Sequence, residues 1–578
     1  MEKEIAELVR KYAVKNAVDY NGKAAFGSVF SKVISKIGKN PDMEELKSLV
    51  SKVVSEVNGM TPEQRASEYK KYESEFESEY SEKVKKTGSP NLQLEGAEIG
   101  NFATRFAPEP SGYLHLGHAK VIFLEQEQAA MYKGKVFLYF DDTNPEKEKQ
   151  EFVDLLKKDV AWLGVHFDKE YYASDNIEKV YEYARKLIEQ GRAYVCTCDP
   201  ETIKKYRFEG TTCPHTRNPE SESMAMFQEM LDGEYDEGKA VLRFKGDMAS
   251  ENTAMRDPTL MRIKMSTHYR QGDKYLVWPT YDFNTPIMDS IHGVTDAMRS
   301  KEYELRDSLY SEILRALNLR IPRMHYEARL VIKGTVTSKR KINELINSGV
   351  IDGYDDPRLA TIAALRRRGV VPEAIKKFVL KYGMSMSDSV ANISDLLLEN
   401  RKILDPTAKR LFFVADPTKL ELGGLTRTRV SLKLHPGGNL GTREYEVGNT
   451  FYISGSDANE LDDGSSIRLK ELSDIKITSI SKSAIHGSAV EKDSKESKKV
   501  QWVSEGNYVP CEVVMPGEMF DENENQMSDS LKVVEGFVES YADNLQEREV
   551  VQFERFGFVV FDGVNKASGK KRFIFMSK

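Results

Sequence analysis

Cysteine is scarce, with four in 578 residues. That excludes a disulfide-built scaffold. Long apolar runs are missing as well. No stretch approaches the roughly 18 residues of a spanning helix, so no membrane partner is expected. The opening stretch MEKEIAELVRKY is charged throughout and has no apolar centre of a leader peptide. A cytoplasmic location is the expectation. Excess positive charge is absent too: 84 Lys+Arg stand against 91 Asp+Glu, a net charge of -7. Any contact with nucleic acid must therefore rest on local basic surface. No GxxxxGK[ST] phosphate loop and no fixed-period repeat occurs.

What is present reads as globular, at 40% hydrophobic and 30% charged residues, with room for several cores. Residues 1–95 read as a helical N-terminal appendage. Ile5, Leu8, Val9, Tyr12 and Ala13 form one helical stripe, and "TPEQRASEYKKYESEFESEY" continues the texture. A docking surface for a protein partner and a plain helical bundle are both open readings. A linker follows. Residues 100–350 then alternate strand-like and helix-like runs, including KVFLYF ending at Asp141-Asp142. That alternation predicts a doubly wound, Rossmann-like α/β sheet, whose ligands bind beyond the carboxyl ends of the strands. Residues 351–405 are helical in texture, and 406–578 are β-rich with glycine turns, as in barrels.

Four clusters carry chemistry. In RFAPEPSGYLHLGHAK, His115 and His118 lie three apart with Gly117 between them, where a loop turns into a helix. Such a turn favours phosphate at its backbone N–H groups, and both imidazoles face one side. Gly117 lets a flat ring approach the backbone. ARLVIKGTVTSKRKINEL leads through Ser338 to Lys339; it is either a solvated basic loop or a mobile loop delivering a lysine to a triphosphate. WPTYDFNTPIMDSIHGVTDAMRSKEY packs Tyr281, Asp289, His292, Arg299 and Ser300 into a short span. Cys196, Cys198, Cys213 and His215 give the ligand count of a tetrahedral zinc site; reduced thiols in a small insertion are the alternative.

Together these motifs resemble class I aminoacyl-tRNA synthetases. HLGH matches their HIGH signature, and VTSKR matches KMSKS, with Thr337 where methionine is common. The motif set, with FDDTNPEKEKQEF and DDPRLATIAALRRRG, resembles the glutamyl/glutaminyl branch from about residue 101 onward. The β-rich C-terminal half and the helical appendage resemble its archaeal glutamyl type. The implied fold is a nucleotide-binding catalytic domain with an insertion (about 195–270) for the tRNA acceptor end. β-Barrel anticodon-binding domains would follow.

The resemblance implies ATP-dependent ligation of glutamate to tRNA-Glu through an adenylate, with Mg2+ accompanying ATP. Charging of tRNA-Gln is left open. His115, His118 and Lys339 are the expected catalytic residues. Glu109, Ser111, Gly117, Ser300, Arg329, Leu330 and Ser338 are expected around ATP. Arg105, Asp141, Tyr281 and Arg299 are expected around glutamate. Arg299 favours a glutamyl enzyme, because glutaminyl enzymes carry a small residue there. For tRNA the candidates are Arg427, Arg429, Lys433 and Arg443, or else these form a solvated barrel face. A monomer is expected. A glutaminyl enzyme and a non-catalytic scaffold are the rival readings.

Overall fold

The structure is a computed structural model that describes residues 2–19, 23–37, 43–72, 92–384, 386–425, 428–438, 440–481, 483–490, 497–521 and 523–578. It divides into two units, 1–91 and 92–578. In the first, helices α1 (Glu2–Asp19), α2 (Phe26–Ile37), α3 (Met43–Asn58) and α4 (Pro62–Lys70) enclose a small core. Val9, Tyr12 and Ala13 of the predicted stripe are buried there, against Val29, Val33, Val50 and Val57. Ile5 and Leu8 pack at its edge. α4 starts on a capping box between Thr61 and Gln64. The aromatic run expected to prolong it lies, from residue 73 on, outside the described residues.

The second unit opens with the predicted alternation: β1 (Ala103–Phe106), α5 (Leu116–Tyr132), β2 (Lys135–Phe140), α6 (Gln150–Trp162) and β3 (Lys169–Tyr172). The strands are parallel in the order β1-β2-β3. α7 (Ile177–Glu189) leads into an inserted antiparallel sheet. It comprises β4 (Ala193–Cys196), α8 (Pro200–Glu209), α9 (Glu220–Leu231), β5 (Val241–Phe244), β6 (Thr259–Ile263) and β7 (Val277–Pro279). The insertion thus runs from 193 to 279, longer than the 195–270 expected, because β4 and β7 are its outer strands.

The chain then returns through α10 (Tyr281–Ile291), β8 (Asp296–Ser300), α11 (Asp307–Ala316) and β9 (Arg323–Glu327). β8 and β9 are parallel. Thr295, just before β8, donates its N–H to the carbonyl of Ala103 at 2.8 Å. Its hydroxyl also accepts from the Ala103 N–H at 2.7 Å. This seats β8 beside β1, so the order is β3-β2-β1-β8-β9, that of a doubly wound sheet. The carboxyl ends of β1, β2, β8 and β9 form one rim.

The helices within 351–405 do not have a core of their own. Ile375, Phe378 and Leu396 pack in the same cluster as Phe106, Ile122 and Phe123. Two seven-stranded sheets follow. In one, the two outermost strands, Lys409–Leu411 and Phe413–Ala415, are separated only by Phe412. In the other, Lys498–Val500 and Val503–Ser504 are separated only by Gln501 and Trp502. A sheet whose two edges are neighbours in sequence must curl until those edges meet, as in a barrel. The second barrel is nested within the first: the chain starts barrel one at 409, builds barrel two over 418–504, and returns at 508 to finish barrel one.

Candidate active site

His115 is the N-cap of α5 and His118 its third residue. The Gly117 N–H donates to His115 Nδ1 at 3.1 Å, and the His115 N–H donates to His118 Nδ1 at 3.3 Å. The two rings stack with centroids 3.8 Å apart. An Nδ1 that accepts from a backbone amide carries no proton, so each neutral ring has its proton on Nε2. Burial holds His115 at about 4 and His118 well below the ordinary histidine value. Both are therefore neutral Nε2–H donors at physiological pH. Gly117 has no room for a side chain in this turn: a Cβ there would lie 2.9 Å from His115 Cε1.

The turn is held from outside. The Leu116 N–H donates to the Ala360 carbonyl at 3.1 Å, and the Ile362 N–H to the Leu114 carbonyl at 2.9 Å. The DDPRLAT segment is thus the clamp on the histidine turn. A cavity of about 330 Å³ opens beside it, lined by Glu109, Ser111, His115, His118, Ser338 and Lys339, among others. Lys339 opens α12 (Lys339–Asn347), with Ser338 as N-cap. The expected loop occupies 333–338 and runs into the start of this helix. The Lys339 stem lies over Gly112, whose added Cβ would meet Lys339 Cδ at 3.3 Å. Burial lowers the Lys339 ammonium's pKa.

The turn leading to Lys339 is braced by a loop of barrel one. The Met519 N–H donates to the Gly334 carbonyl at 2.7 Å, and Lys341 pairs with Glu524 at 2.7 Å. Met519 also joins Val336, Ile342 and Leu345 in one apolar cluster.

Beside this cavity lies a charged and aromatic group. Arg105 is buried and chelates Asp289 through Nε (2.8 Å) and Nη2 (3.0 Å), with Nη1 on the Met298 carbonyl (2.9 Å). Tyr310 donates to the same Asp289 at 2.9 Å. Arg299 is boxed by the rings of Tyr281, Tyr303 and Tyr310, at 5.3 to 5.7 Å. At the end of β2 the acidic pair splits. Asp142 is tied to Ser174 (2.7 Å) and Tyr269 (2.8 Å), while Asp141 stays at the rim with Thr143 and Asn284 at 3.4 Å. Burial, with Asp142 and Glu109 nearby, pushes Asp141 up to about 7. Arg262 on β6 faces this acidic group.

Ser300 ends β8; Arg329 and Leu330 follow β9, apart from the cavity lining. The Arg329 N–H donates to Asp388 at 3.1 Å, and Leu330 is buried. Sequence reasoning passed over Lys120, Arg262 and the Asp289 partnership. Lys120 is fully buried and joins α5 to the end of β9, donating to the Ala328 carbonyl at 2.7 Å beside Glu327 at 3.0 Å. A lysine on the apolar face of α5 was its only signal in sequence.

In the insertion, Cys196, Cys198, Cys213 and His215 converge, their ligand atoms all within 4.8 Å of one another. Cys213 Sγ lies 3.6 Å from Cys196 Sγ, 3.8 Å from Cys198 Sγ and 3.4 Å from His215 Nδ1. A tetrahedron with metal–sulfur bonds of about 2.3 Å has edges of about 3.8 Å, so the donor set fits zinc. Thr197 Oγ1 lies 3.0 Å from His215 Nε2 and can orient the ring from behind.

Among the tRNA candidates, Arg443 requires correction. Its side chain is 3% exposed, its Nε donates to Glu539 at 3.0 Å and its Nη2 lies 2.8 Å from the same carboxylate, so no phosphate reaches it. Arg429 and Lys433 are exposed on one hairpin strand, with Arg429 paired to Glu444. Arg427 lies outside the described residues.

Residues 101–405 match the family model of the catalytic domain of class I (E and Q) tRNA synthetases. Residues 408–494 and 499–562 match its two anticodon-binding domain models. A glutamate–tRNA ligase of Nitrosopumilus maritimus is 39% identical, over 98% of this chain and 99% of that protein. One from Pyrococcus abyssi is 39% identical over 98% of each chain. Among solved structures, glutamate-tRNA synthetase from Elizabethkingia anophelis aligns at a TM-score of 0.39 and 19% identity. That alignment covers 53% of this chain and 71% of that one, a likeness too low to argue from. With matches that run through the catalytic and both anticodon-binding regions, the chain belongs to the class I tRNA synthetases of the E and Q type.

Proposed function

We propose that this chain ligates L-glutamate to the 3′-terminal ribose of tRNA-Glu through a glutamyl-adenylate. The observation that carries the reading is the pair of neutral Nε2–H donors facing Lys339 across one cavity. In the first step an α-carboxylate oxygen of glutamate attacks the α-phosphorus of ATP, supplied as its Mg2+ complex, and pyrophosphate leaves. His115 and His118 donate to phosphoryl oxygens as charge builds there. Lys339 meets the departing pyrophosphate. Such catalysis is positioning and electrostatics, with no covalent role for the protein. In the second step a ribose hydroxyl attacks the acyl carbon, and AMP leaves.

The neighbouring group suits an amino acid with two carboxylates. Asp141 on the rim pairs with the α-ammonium, and Arg299 within its tyrosine box takes the γ-carboxylate. An amide would leave a desolvated guanidinium without its anion. Tyr281 flanks the side chain, and Arg105 braces the floor through Asp289. Glu109 and Ser111 line the ATP entrance; Ser300, Arg329 and Leu330 belong to the adenosine end. The insertion holds the acceptor end. Zinc bound by Cys196, Cys198, Cys213 and His215 would fix the turn after β4. The barrels read the anticodon, with Arg429 and Lys433 toward phosphate.

The test is charging of purified tRNA-Glu and tRNA-Gln with radiolabelled glutamate and glutamine. Glutamate on tRNA-Glu is the expected product. Glutamate on both tRNAs identifies a non-discriminating enzyme, glutamine transfer overturns the Arg299 role, and no transfer favours a scaffold.

A further inference from the structure

Two arginines serve this site, and their hydrogen bonding differs. Arg105 has spent its side-on edge, Nε and Nη2, on Asp289. Arg299 is bonded at Nη1 alone, to Asp307 Oδ1 at 2.7 Å. Its Nε is buried without a partner among the described residues. No described residue bonds Nη2. A guanidinium held at Nη1 presents Nε–H and Nη2–H as a parallel fork, the geometry that grips a carboxylate with two bonds.

The anchor is itself well placed. Asp307 is the first residue of α11, which continues directly from the 3-10 turn Lys301–Arg306. Its side chain is 27% exposed, while that of Arg299 is 2% exposed. The rings of Tyr281, Tyr303 and Tyr310 restrict the guanidinium laterally. They offer it no anion, so the direction in which the fork points is set by Asp307.

We propose that Asp307 is a positioning residue for specificity: it pins Nη1 of Arg299 so that the Nε/Nη2 edge faces the γ-carboxylate of glutamate. This rests on the glutamate reading above. Asp307 does not touch the substrate. What it supplies is an acceptor at a fixed point, and an asparagine Oδ1 can supply the same acceptor. Without it, the guanidinium is free to rotate and meet a carboxylate end-on or not at all.

The experiment compares Asp307→Ala, Asp307→Asn and Arg299→Lys in steady-state charging of tRNA-Glu by the full chain. Asp307→Ala is expected to raise the KM for glutamate about tenfold, with kcat and the KM for ATP within about threefold of the parent. Glutamine should then compete better against glutamate. Asp307→Asn should stay within about threefold of the parent in every constant. An unchanged glutamate KM in Asp307→Ala overturns the proposal. So does an Asp307→Asn as impaired as the alanine variant, or a parallel rise in the ATP KM that marks general damage. Arg299→Lys separates the two levels. If it weakens glutamate binding while Asp307→Ala does not, only the anchoring role falls. If neither matters, the Arg299 reading falls with it.

Discussion

His115 and His118 form a reciprocal cap in which each ring's Nδ1 accepts a backbone N–H of the same turn, at 3.1 and 3.3 Å. Folding thereby fixes the tautomer of both rings and turns both Nε2–H groups into donors. His118→Ala and His115→Ala should each slow glutamate-dependent ATP–pyrophosphate exchange, measured with tRNA present, about 10²- to 10³-fold. Both rings titrate far below neutrality. The exchange rate should accordingly show no histidine inflection between about pH 5.5 and 8.

On the proposed function Lys339 would act on the leaving group, so its loss should reach kcat more than binding. Lys339→Ala is expected to lower single-turnover adenylate formation about a hundredfold, with the KM for glutamate little changed. A normal rate would remove it from the chemistry.

Barrel one grips the turn that precedes Lys339 at Gly334, whose φ is +73. A Cβ there would stand 2.6 Å from Glu518 Cγ. Gly334→Ala should therefore loosen the Met519 contact. A fall of about tenfold in charging kcat, with the KM for tRNA retained, is the expected steady-state result.

Glu125 of α5 is fully buried, and neither carboxyl oxygen has a hydrogen-bond partner among the described residues. Burial raises it to about 8. The folded state thus holds a proton that the unfolded state releases near the ordinary glutamate value. The resulting stability is full below about pH 4.5 and is lost as pH rises through 8. Glu125→Gln should flatten that slope, and thermal melts at pH 8.5 should lie a few degrees higher, about 2–4 °C.

The sulfur–imidazole cluster makes a separate forecast. Metal analysis of the purified chain should find about one zinc per molecule. Cys213→Ser, which removes the donor nearest the other three, should lose it and lower the melting temperature.

The sequence by itself determined the alternating parallel sheet, the histidine turn and the four metal-type ligands. Each is local or periodic: KVFLYF is apolar because β2 is covered on both faces, and HLGH is complete within one helical turn. The β-rich second half was equally legible in its short strands between glycines. What the sequence did not determine was pairing across distance. Arg105 meets Asp289, 184 residues away, only because β1 and α10 share one rim. Arg443 looked like surface charge, yet the barrel buries it on Glu539, 96 residues away. The nesting of one barrel inside the other was hidden for the same reason. Strand pairing is set by which edges remain open after the chain has folded back, and periodicity along the chain carries no record of that.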